Sequence, residues 1–327
     1  MRIIDRKGVA TILSFPHCIA ALRQAMAAVS RGEATLPLRQ FMGVPGVEGK
    51  LAMMPGAMTD PACFGLKLLS KYDREPGDQL PQLIGAYLLF DSSSGQLLAI
   101  LDGAELTARR AAAASALATD LLARKDARKL AILGNGNQAK LHIEAIAAIR
   151  PIDEVCVWGR NADRVNAFVN DQQERTGVAT RAFGSVEECI EEADIVCTTT
   201  GAKTPILPGL ALPDGVHVNL MGASTAAARE TDDETVKRSR FYVDYRQAAL
   251  SAAGELIDAI EQGVVGEEHI AGEIGDVING QAEGRISDAD ITAFKALGIA
   301  AQDLAVAYRV FEGARDEDYG IDVAWGV

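Results

Sequence analysis

Leu130-Ala131-Ile132-Leu133-Gly134-Asn135-Gly136-Asn137-Gln138-Ala139 decides the fold of this chain. Four apolar residues read as a buried strand, Gly-x-Gly-x-x-Ala follows, and Lys140 to Ile149 reads as a helix. Strand, glycine turn and helix in that order form a dinucleotide-binding turn. Gly134 permits the tight turn, Gly136 lets the backbone approach a pyrophosphate, and Ala139 lets helix pack on strand. Unpaired N–H groups at the start of the helix, at Asn137 and Gln138, serve the phosphates. Small residues also make ordinary turns, so it is the two flanks that select the nucleotide reading.

Glu154-Val155-Cys156-Val157-Trp158 is the next strand, and it ends at Gly159-Arg160-Asn161. An NAD site places Asp or Glu about 20 residues past the glycines, on the ribose 2′-hydroxyl. Gly159 stands there instead, and Arg160 follows. An arginine pairs with a 2′-phosphate, and the missing carboxylate removes repulsion against it. The expected cofactor is therefore NADP(H) ahead of NAD(H), with Arg160 as a solvated surface charge the rival reading.

The rhythm on either side separates two regions. Residues 9 to 31 read as a helix. Ala34 to Pro55 carries short strands, Cys63 to Leu69 is a strand, and Gly85–Asp91 with Leu97–Asp102 form a hairpin across Ser92-Ser93-Ser94-Gly95. Thr107 to Ala123 is an Ala-rich helix. From about Ala127 strands at 130–133, 154–158, 195–198, 216–220 and 241–243 alternate with helices, one of them capped by Ser185. Ile291 to Glu312 reads as a returning helix that packs on the first region. The fold class is α/β, a Rossmann doubly wound parallel sheet plus a smaller α+β domain. The expected division is 1–124 with 300–327, and 125–299.

Composition bounds the function. The chain has 327 residues, 48% of them hydrophobic and 24% charged, as in a soluble globular protein. A net charge of −13 excludes a general nucleic-acid binder. No apolar run is long enough for a bilayer, and the N-terminus lacks a signal-peptide core. Five scattered cysteines fit a reducing cytoplasm, and four isolated histidines give no reason to expect a metal.

Further segments resemble one family in order along nearly the whole chain. They are Met54-Pro55, Gly65-Leu66-Lys67, Leu106-Thr107-Ala108-Arg109-Arg110-Ala111-Ala112, the glycine turn, Gly222-Ala223-Ser224, Arg229-Glu230, Tyr242-Val243-Asp244, and Phe294-Lys295-Ala296-Leu297-Gly298 running on to Gln302-Asp303. The chain resembles the ornithine cyclodeaminase/μ-crystallin family, which also holds archaeal-type alanine dehydrogenases and ketimine reductases. The resemblance implies a split substrate domain plus a Rossmann domain, a homodimer paired through the substrate domain, and an active site in the interdomain cleft. It implies a small amino or imino acid as substrate. Arg39 and Arg110 would clamp its carboxylate, as bidentate arginine does best. Lys67 would stand near the reacting carbon, and Ser224 would touch substrate. Thr107, Thr199, Met221 and Gly222 would join the glycine turn, Gly159, Arg160 and Asn161 in holding the cofactor. Each cation also has a plain reading, as an exposed charge (Arg39), a structural ion pair (Lys67) or a neighbour of the true ligand (Arg110 beside Arg109).

The departures from the family narrow the chemistry. Ornithine cyclodeaminases resemble Gly-Ala-Asp where this chain has Gly222-Ala223-Ser224, and carry a Glu where it has Ala52. Ser224 cannot serve as a carboxylate base. Two acids that would receive a diamine are absent, and Ser at that place is similar to μ-crystallin and the ketimine reductases. The leading expectation is reduction of Δ1-pyrroline-2-carboxylate or Δ1-piperideine-2-carboxylate to L-proline or L-pipecolate. Cyclodeamination, alanine-type reductive amination and a non-catalytic NADP-dependent binding role remain open. Against a close match, some family reductases carry a His-Gln pair where Leu83-Ile84 stand, leaving only Gln82 polar.

Overall fold

Residues 1–74 and 78–325 are described in the computed structural model. Internal packing divides the chain into Met1–Arg110 with Ile299–Val327, and Ala111–Gly298.

The first unit opens with β1 (Arg2–Ile4), α1 (Arg6–Ile12) and α2 (Phe15–Ser30). The sequence pattern predicts one continuous helix here. The break at Leu13-Ser14 precedes Pro16, whose ring is excluded from a helix interior but suits a first turn. Six strands follow: β2 (Ala34–Thr35), β3 (Gln40–Gly43), β4 (Gly49–Thr59), β5 (Ala62–Tyr72), β6 (Leu83–Asp91) and β7 (Leu97–Asp102). Asp91 closes the β6–β7 turn by accepting the N–H groups of Ser93 and Ser94, with Gly95 at φ 72° beside them.

Helix α3 (Gly103–Leu122) begins in this unit and ends in the other. Sequence rhythm puts the division at 124/125; packing puts it at 110/111. The second half of α3 bonds to its own neighbours there: Ser115 to His142 at 3.0 Å, Thr119 to Asn219 at 2.9 Å, and Asp120 to Arg150 at 2.9 Å.

The second unit runs β8 (Lys129–Leu133), α4 (Asn137–Ala147), β9 (Glu154–Trp158), α5 (Ala162–Thr176), β10 (Ala179–Ala182), α6 (Val186–Ile190), β11 (Ile195–Thr198) and β12 (His217–Leu220). It continues through α7 (Asp233–Arg238), β13 (Ser239–Val243), α8 (Arg246–Ala252), α9 (Gly254–Glu261), β14 (Ile270–Glu273), α10 (Ile274–Ile278) and β15 (Ile291–Lys295). All pairs are parallel, in the order β10-β9-β8-β11-β12-β15-β13-β14. The chain steps outward from β8, then crosses back to β11 on its other side. Such a reversal opens a crevice at the strands' carboxyl ends, the ordinary ligand place in a doubly wound sheet.

Another element also differs from the reading of the sequence. Ile291–Lys295 is a strand between β12 and β13, and the helix, α11 (Ala300–Asp316), starts only after Gly298 at φ 78°. A parallel strand covered on both faces shows an unbroken apolar run, which periodicity cannot separate from a buried helix. The usable signal is the β-branched and aromatic content of Ile291-Thr292-Ala293-Phe294.

Helix α11 returns to the first unit and packs on α2, β4 and β5; β16 (Ile321–Asp322) then pairs with β1. That unit's sheet has the order β16-β1-β7-β6-β5-β4-β2, with β3 on β4. No single helix among the described residues is long and apolar enough to cross a membrane.

Candidate active site

The first unit's sheet buries one charged side chain in an apolar row. Met54, Lys67, Tyr87 and Leu101 stand directly opposite one another across β4, β5, β6 and β7. Side chains opposite one another share a face, so all four lie on one side, and all are buried. The neighbouring row contains Gly56 and Gly65. A Cβ on Gly56 would come within 2.6 Å of the Ala300 Cβ, and one on Gly65 within 2.6 Å of the Tyr87 hydroxyl. The two glycines therefore let the first turn of α11 settle on the sheet and the Tyr87 ring lie across it.

That first turn delivers Asp303. Its Oδ2 accepts from Lys67 Nζ at 2.7 Å, and its Oδ1 from Arg110 Nε at 3.0 Å. Lys67 is 1%, Arg110 6% and Asp303 0% exposed. Gln302 Oε1 accepts from Arg110 Nη1 at 3.3 Å. Arg109, one residue away, turns elsewhere: it pairs with Glu105 at 3.0 Å, donates to the Leu13 carbonyl and lies over the Phe15 ring. Successive helical residues point about 100° apart, so only one of the pair can face Asp303.

Two cations thus share one carboxylate, leaving one net positive charge in a buried site. Burial pulls the Lys67 ammonium down to about 8; Asp303 opposes this, while Arg110 and Arg39 reinforce it. Arg39 is half-buried, over the Phe41 ring at 5.3 Å. Burial, with Asp303 beside it, holds the Tyr87 phenol well above its usual range, so it stays protonated. Such a cationic site suits a substrate bearing a carboxylate. Thr107 lies on the first turns of α3 with its hydroxyl on the Gly103 carbonyl at 2.7 Å. Leu83 and Ile84 are exposed at the start of β6.

The second unit contains the glycine turn. Gly134 has φ 127°, a left-handed backbone that favours glycine, and a Cβ there would meet the Thr199 hydroxyl at 2.6 Å. Gly136 has nothing within 4 Å of its Cβ position, leaving the backbone open to a pyrophosphate, and α4 starts at Asn137. Gln138 and the buried Ala139 follow on its first turn. At the end of β9, a Cβ on Gly159 would lie 2.9 Å from Val165 and 3.2 Å from the Asn135 side chain. An acidic residue does not fit there without movement. Arg160 is exposed, and Asn161 caps α5 by accepting the Arg164 N–H at 2.9 Å. These residues fit a nicotinamide dinucleotide.

Two buried carboxylates to which the sequence gives no role, Glu230 (there only as part of a matching segment) and Glu255, shape the loops carrying Thr199, Met221, Gly222 and Ser224. Glu230 accepts five hydrogen bonds, from Thr198 Oγ1, both Thr200 N and Oγ1, and the N–H groups of Gly222 and Ala223. Lys295 donates to the Ala223 carbonyl at 2.7 Å and to Glu255 at 2.9 Å. Glu230 thus takes this segment's N–H groups and Lys295 its carbonyl. Asp303 likewise stands out in the sequence only as the end of a matching stretch.

Residues 2–318 match the model of the ornithine cyclodeaminase/mu-crystallin family. The mouse (Mus musculus) protein named ketimine reductase mu-crystallin is 34% identical over 297 residues, covering 90% of this chain and 91% of that protein. The structure of Thermococcus litoralis Δ(1)-pyrroline-2-carboxylate reductase in complex with NADH and L-proline superposes with a TM-score of 0.94 at 31% identity, over 99% of this chain and 100% of that one. An archaeal alanine dehydrogenase dimer with bound NAD gives 0.92 at 29% identity, over 99% of both chains.

Proposed function

The chain belongs to the ornithine cyclodeaminase/mu-crystallin family, and from that premise we propose that it is an NAD(P)H-dependent reductase of a cyclic ketimine. The substrate would be Δ1-pyrroline-2-carboxylate or Δ1-piperideine-2-carboxylate, and the product L-proline or L-pipecolate. The carrying observation is the buried Lys67–Asp303–Arg110 cluster, with more positive than negative charge and room in its chemistry for one more carboxylate. A bound nicotinamide supplies the hydride to the imine carbon. The Nη end of Arg110, with Arg39, holds the substrate carboxylate. The Lys67 ammonium hydrogen-bonds the imine nitrogen and lends it a proton as the carbon is reduced.

The missing acids support reduction over deamination. Ala52 lies two residues from Met54 on β4, so it shares the Lys67 face, where a carboxylate would be needed to receive a second amine. Ser224 offers no carboxylate either. NADPH absorbance with Δ1-pyrroline-2-carboxylate, beside pyruvate plus ammonia and ornithine plus NAD, tests the reading. Rapid oxidation with the imine alone is expected. Turnover only in another arm overturns it.

NADPH is the preferred donor in this reading. Gly159 and the Asn135 side chain occupy the place of the ribose-binding acid, and among the described residues Arg160 has no ion-pair partner. Arg160→Ala is expected to weaken NADPH by about 10- to 100-fold, the worth of one charge-assisted hydrogen bond, and NADH little. Fluorescence titration with both cofactors measures this; equal losses would return Arg160 to the surface.

The chain would work as a homodimer through the sheet face opposite Lys67. There Leu66, Leu68, Leu88 and Ile100 are half-exposed, and Phe64 stacks on Phe90 at 4.9 Å. Exposed apolar surface of this kind marks an interface. A reducing compartment suits the five free thiols.

A further inference from the structure

Asp303 sits where a helix ordinarily uses an acid for itself. In a first turn a carboxylate is stabilised by the helix's own N–H groups, and α11 has no side-chain cap at its start. Yet both oxygens of Asp303 go to other elements, one to Lys67 on β5 and one to Arg110 on α3. Among the described residues, Asp303 is the hydrogen-bond partner of the Lys67 ammonium, which has three donors and keeps two for another acceptor. Arg110 gives Asp303 its Nε. The Nη end is left with one 3.3 Å contact to Gln302, so the rotation of the guanidinium is set from the Nε side.

We propose that Asp303 is a positioning residue for the reduction: one oxygen keeps Lys67 charged and aimed, and the other turns Arg110 so that its Nη edge meets the substrate carboxylate. The inference deepens the reductase reading and rests on it.

A purely structural ion pair would also place these atoms together. Buried pairs of that kind often contribute little net stability compared with apolar replacements. Charge separates the two cases. The groups facing Lys67 are Asp303 on α11, Arg110 on α3, Arg39 ahead of β3, and Tyr87 on β6, which stays protonated. Asp303 is the one carboxylate among them and favours the ammonium; both arginines and burial oppose it. Removing it must move Lys67 toward the neutral amine.

Asp303→Asn keeps the size and removes the charge. The alkaline fall in kcat/KM, expected near pH 8 in the parent, should move to lower pH by about one unit or more. KM for the imine should rise about tenfold as Arg110 loses its orientation, while NADPH affinity stays near the parent value. Asp303→Glu restores the charge with a displaced carboxylate; it should recover the alkaline limb but not the KM. A readout independent of turnover comes from protein labelled with ¹³C at lysine Cε. The Lys67 resonance, identified by its loss in Lys67→Arg, should titrate at lower pH in Asp303→Asn. An unmoved limb with an unmoved Lys67 titration overturns the proposal. If Asp303→Asn does not fold, Asp303→Glu decides: a parental KM would overturn the orienting role. If the parent turns over no cyclic imine, the reductase reading falls, while the Lys67 titration still reads the action of Asp303 on its charge.

Discussion

Replacing Lys67 with alanine is expected to lower imine turnover by about 10²- to 10⁴-fold, the usual worth of a positioned proton donor. NADPH affinity should stay within a fewfold of the parent. The split follows from where the groups lie. Lys67 belongs to β5 of the first unit, whereas the glycine turn and Arg160 that would hold the nucleotide belong to the second. Stability should suffer less than activity, because Arg110 remains to neutralise Asp303 at 3.0 Å. Removing Asp303 instead leaves two buried cations together, the costlier error. Steady-state kinetics, a cofactor titration and a thermal melt on one preparation measure all three quantities. Turnover within a fewfold of the parent would remove Lys67 from the mechanism.

Chemistry that is local in the chain is legible in the sequence itself. The glycine turn can be read because Gly134 answers a backbone need and Ala139 a packing need, both within one strand–turn–helix unit. Lys67 stands out as a charge inside an apolar strand, which needs a partner wherever it is buried. The partner is not legible. Asp303 lies 236 residues from Lys67 and reads locally as an ordinary first-turn acid. Nor can pattern alone choose between Arg109 and Arg110; that depends on which of two directions on α3 faces α11. The strand Ile291–Lys295 reads as helix for the same reason, since a strand covered on both faces loses the alternation that would announce it. Glu230 is the extreme case. It stands in a short polar run, Arg229-Glu230-Thr231, with nothing to say that it is fully buried.

Glu230→Ala is therefore the substitution expected to do most damage without touching the reacting atoms. Its carboxylate spans the ends of two adjacent strands, taking Thr198 at the end of β11 and Thr200 after it, and Gly222 and Ala223 after β12. The hydroxyls of Thr198 and Thr200 can turn to other acceptors. The backbone N–H groups of Thr200, Gly222 and Ala223 cannot; that of Ala223 is buried and the other two partly so, and a buried N–H left unpaired costs about 1–3 kcal/mol. The Ala223 N–H alone places the loss of stability at about 1–3 kcal/mol, and the two part-buried donors add to it. Gly222 sharpens this, since a Cβ there would lie 2.2 Å from the Thr200 carbonyl oxygen. The loops touch so closely that the acceptor between them cannot be replaced by rearrangement. Thr199, Met221 and Gly222 ride on these loops, so NADPH should bind at least about tenfold more weakly, a loss of about 1.4 kcal/mol. Adenosine 2′,5′-bisphosphate, which carries only the adenine half, should bind nearly as before through the Arg160 end. Denaturant unfolding and the two titrations separate a local loss from a global one. Equal weakening of both ligands would mean that Glu230 supports the whole sheet; parental stability and NADPH affinity would mean that other contacts set the two loops.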